Sequence, residues 1–240
     1  MNVNPSFQRL SLLTGAEAAE ALSRSRVLVF GVGGVGSWAA EALVRSGIGT
    51  ISLIDSDQVE ITNINRQIQA TSLSVGQKKA AALASRLKEI NPEANITAIH
   101  RFFSCKELGI KETAESFGIV GADYIIDAID SLESKLDLIE AAAACGVTLF
   151  SSMGMARKLN PTLLRTADIW ETSSCPLARL VRQGLRKRGF NGNFKVVYSD
   201  EQLPHNTEKG SAVFVTASAG MILASLVVQD ILNRHALKDR

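Results

Sequence analysis

The chain has 240 residues, of which 46% are hydrophobic and 21% are charged, and its formal net charge is +2. These values are ordinary for a soluble globular protein and exclude a disordered or collagen-like chain. The length accommodates one full-sized α/β domain, or one such domain with a modest extension.

Apolar runs alternate with helical patterns over the first 152 residues. The predicted strands are Arg26–Phe30, Thr50–Ile54, Asn95–Ile99, 124–126 and 147–151. The predicted helices are 34–46, 74–90 and 131–145. Ser74 and Gln77 have the spacing of a capping box at the start of the second helix. This alternation predicts an α/β fold with a doubly wound, mostly parallel, Rossmann-like sheet.

Residues 153–240 are expected to form a C-terminal extension of mixed strands and helices, continuous with the 1–152 core. The apolar stretch 212–228 carries no charge over 17 residues. Because a membrane span needs about 20 apolar residues, we interpret this stretch as a buried helix. The N-terminus lacks the pattern of a signal peptide. Three cysteines without a C-x-x-C pair argue against a disulfide framework and a cysteine zinc site, so a cytoplasmic protein is expected.

Positive charge is concentrated between residues 155 and 195. This segment holds nine basic and two acidic residues, a balance of +7, whereas the remainder carries −5. Its predicted helix, 176–188, could be a solvated face or a surface that binds a polyanion such as RNA. The basic residues that we assign to RNA binding are Arg179, Arg182, Arg186, Lys187 and Arg188.

A glycine motif follows the first predicted strand. It reads G-V-G-G-V-G over residues 31–36, with glycines at Gly31, Gly33, Gly34 and Gly36. The glycines permit a tight turn and close approach of the backbone to a phosphate at a helix N-terminus. Asp55 ends the next strand, where a carboxylate can bind ribose hydroxyls. The motif predicts a nucleotide site without deciding which nucleotide binds.

The residues beyond the second strand favour a triphosphate over a nicotinamide cofactor. Arg66 lies in the polar run N-I-N-R-Q, and Lys79 lies near the start of the following helix. Cations of this kind neutralise a triphosphate, which carries several more negative charges than the pyrophosphate link of a nicotinamide dinucleotide. Asp130, just beyond another strand, is placed to bind magnesium together with phosphate oxygens. The sequence therefore predicts an ATP site that also holds Mg²⁺.

The combination of motifs resembles the adenylating family related to ubiquitin-activating enzymes, the ThiF/MoeB/HesA group. The resemblance implies that Asp55 binds ribose, that Asp130 coordinates magnesium, and that the phosphates are contacted by Asn63, Arg66 and Lys79. It also implies that Arg9 reaches the nucleotide of a partner subunit, and hence a homodimer. The residues expected at the nucleotide are Gly31, Gly33, Gly34, Gly36, Asp55, Asp57, Asn63, Arg66, Gln67, Lys79 and Asp130; those expected to act in catalysis are Arg9, Arg66, Lys79 and Asp130.

Within this group the chain is similar to the tRNA threonylcarbamoyladenosine dehydratases. The similarity rests on R-L-S-L-L-T-G at residues 9–15, N-P-T at 160–162, P-L-A-R at 176–179 and V-V-Y-S-D-E at 196–201. It implies an ATP-dependent ligase or dehydratase that adenylates the threonyl carboxylate of a modified adenosine in tRNA and closes a ring with loss of AMP. A helper protein for sulfur transfer is a further possible partner.

Two positions depart from the pattern of those dehydratases. Cys175 and Asn160 stand where the family commonly has Asp. Cys175 is expected to be a packed thiol, and His205 lies in a polar loop that could approach substrate. The alternative functions are adenylation of a ubiquitin-like sulfur carrier, oxidoreduction with a nicotinamide cofactor, and nucleotide binding without catalysis.

Overall fold

The computed structural model describes residues 4–202 and 210–236. Its helices are α1 (Gln8–Thr14), α2 (Ala16–Arg24), α3 (Gly36–Arg45), α4 (Lys79–Ile90), α5 (Gly109–Ser116), α6 (Leu132–Ala144), α7 (Pro176–Lys187) and α8 (Val213–Ala236). Its strands are β1 (Arg26–Phe30), β2 (Thr50–Ile54), β3 (Asn95–Ile99), β4 (Tyr124–Asp127), β5 (Thr148–Ser152), β6 (Leu164–Asp168) and β7 (Lys195–Ser199).

The seven strands form one sheet in the order β3-β2-β1-β4-β5-β7-β6. All neighbours are parallel except β6 and β7, which pair antiparallel. The predicted mostly parallel sheet is therefore confirmed, and the strands beyond residue 153 extend it. The order reverses between β1 and β4, which opens a crevice at the carboxyl ends of these strands.

Helices cover both faces of the sheet, because the strands alternate their apolar side chains between two cores. On β1, Val27 and Val29 join a core with α2, α3, α4 and α8. Leu28 and Phe30 join the opposite core, which contains residues of α5, α6 and α7. Both cores support the carboxyl edge of β1, where the glycine motif begins.

Helix α8 is the predicted apolar C-terminal helix. By length and composition alone, Val213–Arg234 could cross a membrane, with a mean hydropathy of 1.7. In the fold its buried side chains, including Ala219, Leu223 and Val227, belong to the core around α3. A Cβ atom at Gly220 would lie 2.5 Å from Val35 O, so only glycine permits this close crossing. The prediction of a packed helix is confirmed.

The predicted start of the helix over residues 74–90 is wrong. Ser74 Oγ donates to Gln69 O at 2.7 Å, and Gln77 O accepts from Val59 N at 2.8 Å. An isolated bridge between Gln58 and Lys78 follows, and α4 begins only at Lys79. The residues read as a capping box thus stabilise a turn before the helix. The shift places Lys79 at the first helical position, beside the crevice.

Candidate active site

A cleft of about 540 Å³ opens at the carboxyl ends of β1, β2, β4 and β5. Most of the predicted nucleotide residues line it: Gly31, Gly33, Gly34, Asp55, Asp57, Asn63, Arg66, Gln67, Lys79 and Asp130. Gly36 lies behind the cleft as a packing residue. The sequence therefore predicted a set of residues that the fold brings to one place.

The glycine motif forms a tight turn at the cleft wall. Gly31 has φ +82°, and a Cβ atom there would lie 2.7 Å from Ala128 O. A Cβ atom at Gly36 would lie 1.9 Å from Gly31 O, so α3 packs directly on the turn. At Gly33 the nearest atom to such a Cβ is Gln67 Nε2 at 3.8 Å, which leaves the backbone open to the cleft. The loop can therefore accept a phosphate at the start of α3.

Asp55 is fixed beside the glycine loop by two backbone donors. Its carboxylate accepts from Val32 N and from Asp57 N, both at 2.8 Å. Burial raises the pKa of the Asp55 carboxyl above its ordinary value, and the two hydrogen bonds oppose that shift. This arrangement orients a carboxylate at the cleft edge, where it can accept hydrogen bonds from ribose hydroxyls.

Asn63 ends a short 3₁₀ helix, Ile61–Asn63, and Arg66 follows it, with Arg66 N donating to Asn63 O at 3.0 Å. Asn63 is buried, and its Oδ1 accepts from Glu60 N at 3.1 Å. Arg66 Nη1 donates to Thr62 O at 2.8 Å, so local bonds orient the guanidinium. Trp38, on α3, donates from Nε1 to Arg66 O at 3.0 Å. These contacts tie the polar segment to the helix that follows the glycine loop.

Lys79 and Asp57 form an ion pair across the cleft wall. Lys79 Nζ lies 2.7 Å from Asp57 Oδ2; the lysine side chain is 10% exposed and the aspartate 64%. The ammonium is thus nearly buried while its partner faces solvent. This geometry presents a preoriented cation to a polyanionic ligand.

Asp130 and Asp127 differ sharply in environment although both belong to the D-A-I-D motif. Asp130 is exposed and lines the cleft, and it has no hydrogen-bond or ion-pair partner within the described residues. Asp127 is fully buried; its Oδ1 accepts from Ile129 N at 3.0 Å. Asp130 is therefore the carboxylate available to a ligand, and Asp127 shapes the turn that presents it.

Sequence reasoning missed the group that holds Asp127. Lys135 Nζ donates to Asp127 Oδ2 at 2.7 Å and to Ser152 O at 3.1 Å. Ser151 Oγ donates to the same aspartate oxygen at 2.6 Å. The available signal was a lysine eight residues after a strand-end aspartate on a largely apolar helix face. Phe102, which no sequence motif indicated, is 62% exposed and lines the cleft.

The basic residues of α7 lie outside the cleft lining and differ in their partners. Arg188 pairs with Glu133, Asp137 and Glu140 of α6, at 2.7–2.8 Å. Burial lowers its pKa, but the hydrogen bonds to Asp137 and Glu140 raise it more, so the net shift is upward.

The remaining cations of α7 are less tightly engaged. Arg182 donates to Thr172 O at 3.0 Å, and the Arg186 guanidinium carbon lies 5.4 Å from the centroid of the Trp170 ring. Arg179 and Lys187 are exposed without an ion-pair partner in the described ranges. Within α7 the cations available to a ligand are therefore Arg179, Arg186 and Lys187.

Two other residues singled out in the sequence, Arg9 and Cys175, lie apart from the cleft lining. Arg9 is exposed on α1. Cys175 is buried in the core that contains α6 and α7, at 5% exposure, as expected for a packed thiol. His205 lies outside the described residues. The site of a single chain thus contains every predicted catalytic residue except Arg9.

Comparison with known proteins identifies relatives over nearly the whole chain. The ThiF family matches residues 7–239. The tRNA threonylcarbamoyladenosine dehydratase of Bacillus subtilis is 39% identical, over 97% of this chain and 96% of that protein. The molybdopterin-synthase adenylyltransferase of Escherichia coli is 31% identical, over 68% of this chain and 63% of that protein.

A solved structure agrees with these sequence relationships. The E. coli tRNA N6-threonylcarbamoyladenosine dehydratase, TcdA, in complex with ATP, superimposes with a TM-score of 0.88 at 33% identity. The match covers 98% of this chain and 99% of that chain. The carboxyl-edge cleft, the glycine loop and these matches lead to one conclusion: the chain belongs to the ThiF family, and its full-length relatives there are tRNA threonylcarbamoyladenosine dehydratases.

Proposed function

We propose that the protein is an ATP-dependent enzyme that cyclises threonylcarbamoyladenosine in tRNA through adenylation of its carboxylate. The observation that carries this proposal is the gathering of Asp55, Arg66, Lys79 and Asp130 around one glycine-loop cleft. The match to dehydratases over nearly the full length of both proteins supports the substrate.

The reaction has two chemical steps. The threonyl carboxylate oxygen attacks the α-phosphorus of ATP, the bond to the β-phosphate oxygen breaks, and pyrophosphate leaves. A nucleophilic atom of the carbamoyl group in the same modified nucleoside then attacks the activated carbonyl carbon and releases its proton to solvent, and AMP leaves as the ring closes. Arg66 and Lys79 stabilise the charge that develops on the phosphate oxygens, and Asp55 positions the ribose.

Magnesium fits the donors at the cleft. Asp130 presents an exposed carboxylate there, and Mg²⁺ is commonly held by one or two carboxylates together with substrate phosphates. When bound, the ion would offset phosphate charge, and Asp130 would hold it. The buried Asp127 orients the turn and is unavailable as a ligand.

We assign ATP binding mainly to residues 1–152 and tRNA binding to residues 153–240. Arg179, Arg186 and Lys187 support this assignment, because they expose positive charge along α7 and phosphate neutralisation dominates nucleic-acid affinity. The surface around α7 carries less positive charge than the sequence of residues 155–195 indicates, because three acidic residues of α6 pair with Arg188. Arg182 and Arg188 therefore serve chiefly to hold α7 in place.

We further propose a homodimer in which Arg9 acts on the partner's nucleotide. Arg9 is exposed on α1, beside Leu12 and Leu13, which are 72% and 85% exposed. Phe214 and Met221, 50% and 43% exposed, lie seven residues apart on one face of α8. Such apolar exposure is typical of an association surface.

The three cysteines are free, in agreement with a cytoplasmic location.

Adenylation of a sulfur carrier is the second candidate. Its support is the match to a molybdopterin-synthase adenylyltransferase, which covers a smaller part of each chain than the dehydratase match does. A helper protein for sulfur transfer would belong to this second function. Nothing in the cleft separates the two carboxylate substrates, so the experiment must supply both.

The test is ATP–pyrophosphate exchange with purified protein and either tRNA bearing threonylcarbamoyladenosine or a sulfur-carrier protein. We expect exchange, one AMP per converted nucleoside and loss of one water mass only with the tRNA. Unmodified tRNA is the matched negative control, and Asp130→Ala tests dependence on the cleft. Exchange with the carrier alone would replace the proposed function by the second candidate.

A further inference from the structure

Arg157 combines a strained backbone with an exposed side chain at the rim of the cleft. Its φ is +60°, in the left-handed region of backbone conformation, which residues other than glycine, asparagine and aspartate rarely adopt. Met155 and Ala156, immediately before it, line the cleft. Its backbone N–H donates to Gly210 O at 2.8 Å, which fixes the turn. The fold therefore fixes the backbone of Arg157 beside the cleft, and the exposed side chain extends from that point.

Within the part of the chain that the structure describes, side chains or carbonyls bind the neighbouring cations but not the Arg157 guanidinium. Lys158, next along the chain, donates to Glu201 O, and Arg165 Nε lies 3.6 Å from Asp200 Oδ2. Over residues 4–202 and 210–236, the Arg157 guanidinium has no hydrogen-bond or ion-pair partner. The left-handed backbone conformation of Arg157 costs free energy, and it places a guanidinium with no partner among the described residues in solvent. Backbone strain of this kind is concentrated at functional sites.

We propose that Arg157 binds a backbone phosphate of the tRNA next to the nucleotide that reacts. This inference rests on the proposed function and adds to it a residue that orients the substrate. A nucleotide placed in the cleft brings the phosphates on either side of it to the rim. The planar guanidinium matches a phosphate with two parallel hydrogen bonds, which an ammonium does not reproduce.

Three substitutions separate charge from backbone strain. Arg157→Lys keeps the charge and the strain, Arg157→Ala removes the charge and keeps the strain, and Arg157→Asn removes the charge and relieves the strain. Lys111→Ala, on the exposed face of α5, removes one positive charge away from the cleft lining and is the matched control. Ser174→Asn relieves strain at the other non-glycine position with positive φ in the described ranges.

We expect affinity for tRNA to follow the charge. Arg157→Ala and Arg157→Asn should both weaken binding about tenfold, as for loss of a charge-assisted hydrogen bond. Both should also reduce the slope of log K against log salt by about 0.7, the value for one phosphate of a single strand. Arg157→Lys should keep the wild-type salt slope and bind more tightly than Arg157→Ala but less tightly than the wild type, because an ammonium keeps the charge without the two parallel hydrogen bonds. Lys111→Ala and Ser174→Asn should bind as the wild type does.

We expect stability to follow the backbone instead. The urea midpoint of Arg157→Asn should lie above that of the wild type, whereas Arg157→Ala and Arg157→Lys should not exceed it. ATP affinity should be unchanged in all three. The inference is overturned if Arg157→Ala and Arg157→Asn bind tRNA like the wild type, or if ATP affinity falls instead. If the wild type itself neither binds nor converts the modified tRNA, the proposed function has failed, which is a separate outcome.

Discussion

Lys135 Nζ lies 2.7 Å from Asp127 Oδ2, and both side chains are wholly excluded from solvent. The lysine comes from α6, the aspartate from the end of β4, and Ser151 from β5 completes the group. The pair therefore joins three elements beneath the cleft and fixes the turn that presents Asp130.

Removing one partner of this pair should strongly destabilise the fold. Lys135→Met leaves a buried carboxylate without its cation, and we expect the free energy of unfolding to fall by about 3–5 kcal/mol. Urea denaturation measures this loss. Lys135→Met combined with Asp127→Asn removes both charges and should recover much of it. A double variant no more stable than Lys135→Met would contradict the role given to the pair.

Arg66→Ala and Asp130→Ala should strongly reduce turnover and leave folding intact. Neither side chain is part of a hydrophobic core, so the urea midpoint should stay at the wild-type value. If each residue stabilises transition-state charge, its loss should raise the activation free energy by about 2–4 kcal/mol. The turnover rate should then fall roughly 30-fold to 1000-fold. Rates near those of the wild type would refute the assigned roles.

Binding of the nucleotide should depend on magnesium through Asp130. Calorimetry should give tighter binding of ATP than of NAD, and addition of Mg²⁺ should strengthen only the former. Asp130→Ala should lose that increment and retain most of the magnesium-free affinity. Tighter binding of NAD would overturn the assignment of the cleft.

Mixed dimers test whether Arg9 acts in trans. Subunits that carry Arg9→Ala, mixed equally with Asp130→Ala subunits, should recover about a quarter of the wild-type activity. Random assortment makes half of the dimers mixed, and one of the two sites in each mixed dimer keeps both residues. Subunit exchange must be demonstrated independently, for instance with differently tagged chains. Exchange without recovered activity would restrict Arg9 to its own chain.

Two neighbouring cations at the C-terminal end of α7, Arg186 and Arg188, should respond differently to substitution. Arg188→Ala leaves Glu133, Asp137 and Glu140 without their shared cation, so the protein should lose stability at neutral pH. Arg186→Glu should weaken tRNA binding with little change in stability. Equal effects on stability would deny the distinction between them.

Local sequence predicted the parts of the fold that local chemistry determines. The bounds of β1, β2 and β3, and the glycine turn, follow from apolar runs and from positions where only glycine fits. Ser74 and Gln77 misled the prediction of α4, because their hydrogen bonds go to Gln69 and Val59 in a turn that precedes the helix. Intrinsic pattern could not distinguish those two uses of the same residues.

Contacts between distant segments account for what the sequence could not reveal. Lys135 alternates with Leu132, Leu136 and Leu138 on α6, and local sequence does not identify its partners, which come from β4 and β5. Arg188 reads as one of several free cations on α7, yet α6 supplies its carboxylates. Burial and pairing at both positions arise only when the sheet and its helices assemble.

Because α8 crosses close over α3 beside the glycine loop, we expect ATP to bind only after α8 has been synthesised and has docked. Thr216 of α8 lies against Gly34, where a Cβ atom would be 3.3 Å from the threonine side chain, and Gly220 fits against Val35 O. One wall of the nucleotide loop is thus supplied by residues that leave the ribosome long after the loop itself. A nascent chain can already contain the glycine motif, Asp55, Lys79 and Asp130. It then lacks the wall of the site that α8 supplies. ATP binding therefore indicates that α8 has docked. We expect ATP to protect the full chain from proteolysis but not chains that end before α8.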